Sequence, residues 1–438
     1  MNTLFTLLLF FFNISNTSAT TTPVQKKIII SIETNQSTTP IPIVIKRSEN
    51  AAWNFQANSA QVVTKEHYQN LICQLDDIDG DGNTDEVVFL TIPGIQEYTL
   101  TLSEAYPSKI QESSSPAVFS YMGINDKKAK HPAITHLEVP GKSNVYSDVF
   151  PHGATWESDQ TAYRLYFDHR QNIDIYGKRI RRLELPDTYF YTSDEQLNKQ
   201  YGYDILWAGT SIACGSLKLW TEEGMANWTN VQLRGQRIIA HGPIRTIVEM
   251  TDKNTLWPEG YSNSITTHYT QYAHQRDVQV DIYSKYPLSP QKLCTGVQRI
   301  AGSKYRILQS EGIAATWGTD YPEQSNEKSK ARFGLTSVGM AVYVPKRYVA
   351  NIHEDSLNCL IILGKRPETH LQYHISFCTA METWNELNNS NAWFNEVYKW
   401  VEECKTKEDK YKIKTIKKIF SRNKRKTSGQ KNLVMIKK

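Results

Sequence analysis

Hydrophobic and polar residues alternate along much of the chain with a period of two, which is the pattern of a β-strand with one face buried. The alternation is strongest over residues 264–281, where apolar positions interleave with threonine, histidine and glutamine. Shorter runs rich in β-branched and aromatic residues occupy positions 87–91, 244–250, 359–363 and 372–377. Glycine and proline residues separate these runs, so the pattern predicts a mainly β protein with antiparallel strands.

Two segments depart from this pattern. Over residues 381–404, aromatic and aliphatic side chains recur at helical spacing and predict a short C-terminal helix. Residues 1–20 combine an apolar run, too short to span a membrane, with small polar residues. This start predicts a signal peptide and an exported protein, periplasmic or extracellular. We expect a single β-domain over residues 21–404 and a basic, disordered tail at 405–438.

The charge of the chain is unevenly distributed. The formal net charge is +5, but residues 405–438 carry 14 basic and two acidic residues. The remaining 36 basic and 43 acidic residues give the body a net charge of −7. Because phosphate contacts dominate the affinity of nucleic-acid-binding proteins, an acidic body argues against a nucleic-acid partner.

The densest group of chemically capable residues lies between positions 150 and 168. It joins a histidine, carboxylates, an arginine and several aromatic residues: His152, Trp156, Glu157, Tyr163, Arg164, Tyr166 and Asp168. Aromatic rings pack on the C–H faces of a pyranose, while charged groups bind its oxygens. Residues 163–168 alternate, so we expect His152 and Glu157 on a loop and the others on a strand. The stretch predicts a sugar-binding cleft; the alternative is a buried aromatic strand with a solvated glutamate.

A second candidate group lies in the alternating segment 264–281. With a period of two, His268, Tyr272 and His274 share one face of the strand. Two histidines and a tyrosine on one face are candidates for acid/base chemistry, the alternative being ordinary structural residues. Tyrosines and carboxylates are also concentrated between residues 183 and 204.

An acidic loop precedes the strand predicted at residues 87–91. Oxygen-bearing side chains stand on alternate positions with glycines between them: Asp77, Asp79, Asp81, Asn83 and Asp85. Such ligands in a tight turn are suited to Ca²⁺ in a structural role, although Val88 occupies the place of the usual bidentate glutamate. The alternative is an aspartate-rich turn without metal.

The six cysteines show no C-x-x-C spacing and no spaced histidine pair. The sequence therefore does not predict a zinc site. Disulfides are compatible with export, but no pairing can be read from the spacing.

Several of these motifs together resemble a known family. The stretch Pro151–Ser158, the loop Asp77–Glu86, residues 176–178 and residues 193–197 are similar to the bacterial family called domain of unknown function 4861. The resemblance extends over about residues 28–400. It implies an exported protein of polysaccharide-degradation loci, a substrate related to pectin-like uronides, and a large antiparallel β-supersandwich like that of galactose mutarotase. A shared fold does not fix a reaction.

Our leading hypothesis is a lyase acting on uronic-acid-containing oligosaccharides. In this reaction His152 or His268 serves as base, Tyr163 or Tyr272 as acid, and Arg164 binds the substrate carboxylate. Aromatic and polar residues near them, Trp156, Tyr166, Asp168 and His274, would contact the sugar. Glu157 is an alternative acid in a mutarotase- or hydrolase-type enzyme. A glycan-binding protein without catalysis is the alternative from another functional class.

Overall fold

The structure is a computed structural model that describes residues 25–34, 39–106, 117–257, 259–300, 302–324, 326–406 and 411–421. The predicted signal peptide lies outside these residues, and export stays a prediction. Among the helices that the structure describes, none is long and apolar enough to cross a membrane.

The chain forms 27 strands and four α-helices in the described residues. The first strands are β1 (Gln25–Thr34), β2 (Pro42–Lys46), β3 (Ser59–Thr64), β4 (Asn70–Leu71), β5 (Cys73–Asp76), β6 (Glu86–Leu90), β7 (Glu97–Ser103), β8 (Val118–Ile124) and β9 (His136–Pro140). The middle of the chain forms β10 (Val149–Ser158), β11 (Ala162–Tyr166), β12 (Ile173–Gly177), α1 (Leu185–Thr188), α2 (Asp194–Asn198), β13 (Tyr203–Asp204), β14 (Lys218–Thr221), β15 (Gly224–Ala226), β16 (Leu233–His241), β17 (Arg245–Leu256) and β18 (Ser262–Tyr272). There follow β19 (Val278–Leu288), β20 (Leu293–Gln298), β21 (Lys304–Leu308), β22 (Ile313–Asp320), α3 (Glu327–Phe333), β23 (Thr336–Tyr343), β24 (Val349–Glu354), β25 (Asn358–Leu363), β26 (Glu368–Thr379), α4 (Ser390–Thr406) and β27 (Tyr411–Ser421). Short 3-10 helices lie at Arg47–Glu49 and Lys346–Tyr348.

The centre of the molecule is a nine-stranded sheet in the order β21-β22-β23-β26-β19-β18-β17-β16-β9. Its inner face packs on two five-stranded sheets, β13-β12-β11-β10-β8 and β15-β14-β20-β25-β24. Apolar residues from all three sheets, such as Trp156, Tyr269 and Ile361, form one continuous core. This arrangement confirms the predicted fold class, a mainly β antiparallel supersandwich with a short C-terminal helix.

A smaller β-sandwich, formed by strands β1–β7 and β27, has its own core. The five-stranded sheet β27-β1-β7-β3-β4 faces the three-stranded sheet β2-β6-β5. Alternate residues of β1, including Ile28 and Ile30, pack against Val87 and Phe89 of the facing sheet. The range predicted as a single domain therefore contains two separate large apolar cores.

The outer face of the nine-stranded sheet is partly covered by two elements. Helix α4 packs Trp393, Phe394 and Val397 on β22 and β23. The small sandwich is attached through Arg245, whose guanidinium contacts the carboxylates of Asp76 and Glu86 at 2.7 and 2.6 Å. A cleft of about 950 Å³ remains between these elements, lined mainly by the outer face of the sheet.

The prediction of a disordered tail is wrong for residues 411–421. These residues form β27, which pairs antiparallel with β1 along its whole length. Tyr411 and Ile413 pack against the core of the small sandwich. Lysines on a strand at the edge of a sheet keep their charges in water, so a basic run is compatible with a strand. Residues 407–410 and 422–438 lie outside the described residues.

Candidate functional site

The predicted sugar-binding stretch opens onto a cavity of about 470 Å³ beside the sheet of β10–β13. We call it the tyrosine cavity, and its walls include Tyr146, His152, Arg164, Tyr166, Asp174, Tyr191, Asp204, Trp207 and Arg332. Of the residues predicted for the site, the structure brings His152, Arg164 and Tyr166 together here. The size and the aromatic lining suit a ligand of one or two sugar rings.

His152 lies on β10 at an irregularity, not on the predicted loop. The pairing of β10 with β8 shifts register between Phe150 and Thr155, and His152 has a φ of +67°. Strained backbone of this kind is concentrated at functional sites. The ring stacks on Tyr146 with centroids 3.9 Å apart, and its Nδ1 lies 2.7 Å from the Tyr146 carbonyl oxygen.

The tautomer of His152 follows from that contact. A carbonyl oxygen can only accept a hydrogen bond, so Nδ1 carries the proton and Nε2 is the basic nitrogen of the neutral ring. Burial lowers the pKa of His152 below its ordinary value, although the bond to Tyr146 partly opposes this effect. His152 is therefore available as a neutral base near pH 7.

Arg164 is the centre of a buried ionic network. Its Nη2 contacts a carboxylate oxygen of Asp174, lies 2.9 Å from Oδ2 of Asp204, and donates to the Tyr166 hydroxyl at 2.7 Å. The side chain is only 3% exposed. Its charge is thus already balanced within the protein, which contradicts the prediction that Arg164 binds a substrate carboxylate. Removing Arg164 would unpair two carboxylates, and such a variant would not report on substrate charge.

Asp204 is the titratable carboxyl that faces the cavity. Burial raises its pKa well above the ordinary value, and Asp174 adds to the rise while Arg164 opposes it. The side chain keeps 32% of its surface exposed, so a ligand in the cavity can reach it. A carboxyl group with a raised pKa is a candidate for a general acid, which must hold a proton before it donates it.

The rim of the cavity offers an aromatic surface and a cation. Trp207 is 41% exposed, which is unusual for so large an apolar side chain. Arg332 pairs at 2.7 Å with Asp194, whose side chain is 83% exposed. Surface ion pairs contribute little free energy, so Arg332 can exchange this partner for the carboxylate of a ligand.

Three predicted site residues are core residues instead. Trp156, Glu157 and Tyr163 have no exposed surface. Trp156 stacks on Tyr163, whose hydroxyl donates to the Arg276 carbonyl at 2.9 Å. The sheet of β10–β13 is covered on both faces, and this is why an aromatic-rich stretch became core. The structure therefore does not place Trp156, Glu157 or Tyr163 where a sugar could contact them.

Glu157 forms a buried ion pair. Its carboxylate contacts Lys178 Nζ and accepts hydrogen bonds from the backbone N–H groups of Glu184 and Leu185 at the start of α1. Burial raises the pKa of Glu157, against the lowering effect of Lys178. Its role is to anchor α1 on β10.

Asp168 and His274 have local partners outside the tyrosine cavity. Asp168 forms an ion pair with Arg170 at 2.7 Å and accepts hydrogen bonds from the backbone N–H groups of residues 170 and 171. His274 lies in the turn after β18, with a φ of +62°, and contacts Asp159 at 3.3 Å. The predicted strand face ends at Tyr272 because the turn interrupts the alternation, so His274 does not lie beside His268.

His268 and Tyr272 line the large cleft on the outer face of the nine-stranded sheet. His268 Nε2 lies 3.0 Å from Glu249, and the neighbouring His370 pairs with Asp281 at 2.9 Å. The prediction that His268 and Tyr272 share one face of the strand is confirmed. They belong to a different cavity from His152, so the predicted residues do not form one site.

The acidic loop turns back on itself between β5 and β6. Carboxylate oxygens of Asp77, Asp79 and Asp85 lie within 4.8 Å of one another. Asp81 lies outside this trio, and its carboxylate accepts hydrogen bonds from the side-chain and backbone N–H groups of Asn83 at 2.9 and 2.7 Å. Three converging carboxylates fit a hard cation such as Ca²⁺, and calcium binding stays a prediction.

Calcium is expected to raise the melting temperature of the protein, and the Asp85→Asn variant is expected to lose this response. A ligand at 100 times its Kd stabilises the folded state by about 2.7 kcal/mol. Differential scanning calorimetry with calcium and with chelator measures the shift. Asp81→Asn is the matched control, because Asp81 lies outside the converging trio and should keep most of the response. An unchanged melting temperature for the wild-type protein would contradict calcium binding.

Several residues of the tyrosine cavity could not be recognised in the sequence. Asp174 and Tyr146 lie in unremarkable sequence, and Arg332 is contributed by α3 from far along the chain. The tyrosines and carboxylates noted between residues 183 and 204 were a real signal, since Tyr191 and Asp204 come from that segment.

Comparison with known proteins gives the family but no reaction. The profile of the family described as domain of unknown function (DUF4861) matches residues 31–408. No protein of curated function matches the chain. Among solved structures, an alpha-mannosidase from Enterococcus faecalis is similar at 7% identity and a TM-score of 0.41, covering 91% of this chain and 46% of its own. A glycosyl hydrolase family 38 protein from Enterococcus faecalis gives 7% and 0.41, with coverages of 90% and 47%.

The chain thus spans less than half the length of these two solved proteins. The family match, in contrast, covers most of the chain and includes the strands that carry His152, Arg164 and Asp204. The protein therefore belongs to the DUF4861 family.

Proposed function

We propose that the protein is a carbohydrate-active enzyme whose active site is the tyrosine cavity. The observation that carries the proposal is an aromatic cavity lined by both a histidine and a carboxyl group, His152 and Asp204. The pKa of His152 is lowered by burial, and the pKa of Asp204 is raised by burial and by Asp174. Such opposed shifts mark the base and the acid of an active site.

The reaction that we favour is β-elimination on a uronic-acid-containing oligosaccharide. His152 Nε2 removes the proton on the carbon next to the sugar carboxyl group, and Asp204 donates a proton to the leaving glycosidic oxygen. The C–H and C–O bonds break, a C=C bond forms, and the two protons end on His152 and on the new hydroxyl. Arg332 binds the carboxylate, and Trp207 packs on a sugar face.

Hydrolysis is the second candidate reaction. The same acid would protonate the glycosidic oxygen, while His152 would activate a water molecule. This alternative is favoured by the carboxylates of Asp174 and Asp204, which lie close enough to share one guanidinium nitrogen. However, Asp174 is only 4% exposed and is held by Arg164 and Tyr166, so it is poorly placed as a nucleophile.

A panel of acidic and neutral oligosaccharides distinguishes these reactions. Ultraviolet absorbance of unsaturated uronides and new reducing ends are followed in parallel. We expect both signals to grow together with uronate substrates. Reducing ends without absorbance would indicate hydrolysis. Binding without either signal would leave a glycan-binding protein, and neither binding nor turnover would overturn the proposal.

The activity is expected to depend on pH in a bell-shaped manner. Below the pKa of His152 the ring is protonated and cannot act as base, so the acid limb should lie below the ordinary histidine value of about 6.5. Above the pKa of Asp204 the carboxyl has lost its proton, so activity should fall again as pH rises. The profile of kcat/KM against pH measures both limbs. Activity that rises continuously with pH would contradict the role of Asp204.

A further inference from the structure

Three potential metal ligands meet in the wall of the large cleft, far from the acidic loop in sequence. Asp277 immediately precedes β19, His374 lies on β26 and Cys404 lies on α4. One ligand atom from each lies within 4.8 Å of the others, and all three residues are buried, with exposures of 8%, 4% and 6%. We call these residues the buried triad.

The fold explains why these side chains converge. Strands β19 and β26 are antiparallel neighbours in which Gln279 pairs with His374. Asp277 lies two residues before Gln279, so its side chain is on the same face of the sheet as those of Gln279 and His374. Both side chains therefore point to the outer side of the sheet and into the cleft. Helix α4 crosses this face and brings Cys404 over them.

Two basic residues lie next to the triad in the sequence, Arg276 before Asp277 and Lys405 after Cys404. The basic residues next to it in sequence are engaged elsewhere: Arg276 forms hydrogen bonds to Glu382 at 2.7 Å, and Lys405 contacts Glu311 and Glu402 at 2.7 and 2.8 Å. The contact within the triad is 3.8 Å between His374 Nδ1 and Asp277 Oδ2.

We propose that Asp277, His374 and Cys404 bind a zinc ion. A thiolate, an imidazole and a carboxylate form a mixed set of donors that suits Zn²⁺ and not Ca²⁺ or Mg²⁺. Tetrahedral coordination at zinc–ligand distances of about 2.0–2.3 Å separates ligand atoms by roughly 3.3–3.8 Å. The ligand atoms need to approach one another by about 1.5 Å at most, which a change of side-chain rotamer can supply.

Three protein ligands leave one position of a tetrahedral zinc ion for water or a ligand. That position would face the cleft, where His370 and Tyr283 stack with centroids 4.9 Å apart. The site is separate from the tyrosine cavity. It does not depend on the proposed function, and either proposal can fail alone.

Cobalt substitution in the full chain tests the site without an activity assay. After chelator treatment the protein is titrated with Co²⁺, and metal content and the visible spectrum are measured. We expect one bound cobalt with the strong bands of tetrahedral coordination and a thiolate-to-cobalt charge-transfer band. Cys404→Ser should remove the charge-transfer band. His374→Ala should weaken binding by more than the roughly 10- to 100-fold that loss of an outer-shell partner costs.

The controls separate the triad from other thiols and from the acidic loop. Cys294→Ser changes a thiol in the main core, and Asp85→Asn alters the loop, so both should leave the spectrum unchanged. If a triad variant fails to fold, alkylation of the wild-type protein with and without zinc tests the site instead. Zinc should protect the peptide that contains Cys404 and not the peptide with the partly exposed Cys73. Absence of protection, or a charge-transfer band that survives in Cys404→Ser, would overturn the proposal.

Discussion

The His152→Asn variant is expected to lose about 10²–10⁴-fold in kcat/KM on the best uronate substrate while keeping its fold, because a positioned general base contributes that much. Asparagine is the suitable replacement, since it tolerates the positive φ of this position better than alanine does. The loss therefore reports the missing imidazole and not backbone strain. Steady-state kinetics, with a circular dichroism spectrum of each variant, measure it.

The matched control is His268→Asn in the large cleft. His268 is also a histidine on a strand that lines a cavity, and it is paired with Glu249. It should retain activity within a few-fold of the wild-type value. A large loss for His268→Asn together with a small loss for His152→Asn would move the active site to the cleft.

The Glu157→Ala variant is expected to lower the free energy of unfolding by about 3–5 kcal/mol, the usual cost of leaving one partner of a buried ion pair unpaired. Lys178 Nζ would keep only the carbonyl oxygens of Ser158 and Arg182, at 2.6 and 2.8 Å. The backbone N–H groups at the start of α1 would lose their acceptor as well. Urea unfolding measures the change.

A double-mutant cycle identifies the origin of that loss. Combining Glu157→Gln with Lys178→Met removes both charges, so the double variant should be less destabilised than the sum of the single variants. A Glu157→Ala protein that unfolds within about 1 kcal/mol of the wild type would contradict the ion-pair account. A folded Glu157→Ala protein without activity would return Glu157 to the list of catalytic candidates.

The strands could be predicted from the sequence because burial on one face leaves a period of two. The face shared by His268 and Tyr272 was read correctly for this reason, up to the turn that carries His274. The prediction that Trp156 lines a sugar-binding cleft was not met, because the sheet that carries Trp156 is buried on both faces. Aromatic and charged residues are typical of sugar clefts, but the same types fill a core when each finds a partner.

Positions that depend on distant contacts could not be read from spacing. Asp204 and Arg332 reach the tyrosine cavity from β13 and α3, and nothing local marks them as neighbours of His152. The buried triad is a similar case, since strand pairing and helix packing bring its members together. For β27 the signal was present, because isoleucines interleave with lysines in residues 412–419, but the basic composition outweighed it.

A crystal structure of the Asp204→Asn variant with an acidic oligosaccharide would test directly whether the tyrosine cavity is the active site. Removal of the proposed acid should trap the substrate intact. We expect a sugar ring in the tyrosine cavity, with its carboxylate at Arg332 and the carbon next to that carboxylate facing His152 Nε2. Oligosaccharide bound in the cleft beside His268 and Tyr272, with the tyrosine cavity empty, would contradict it.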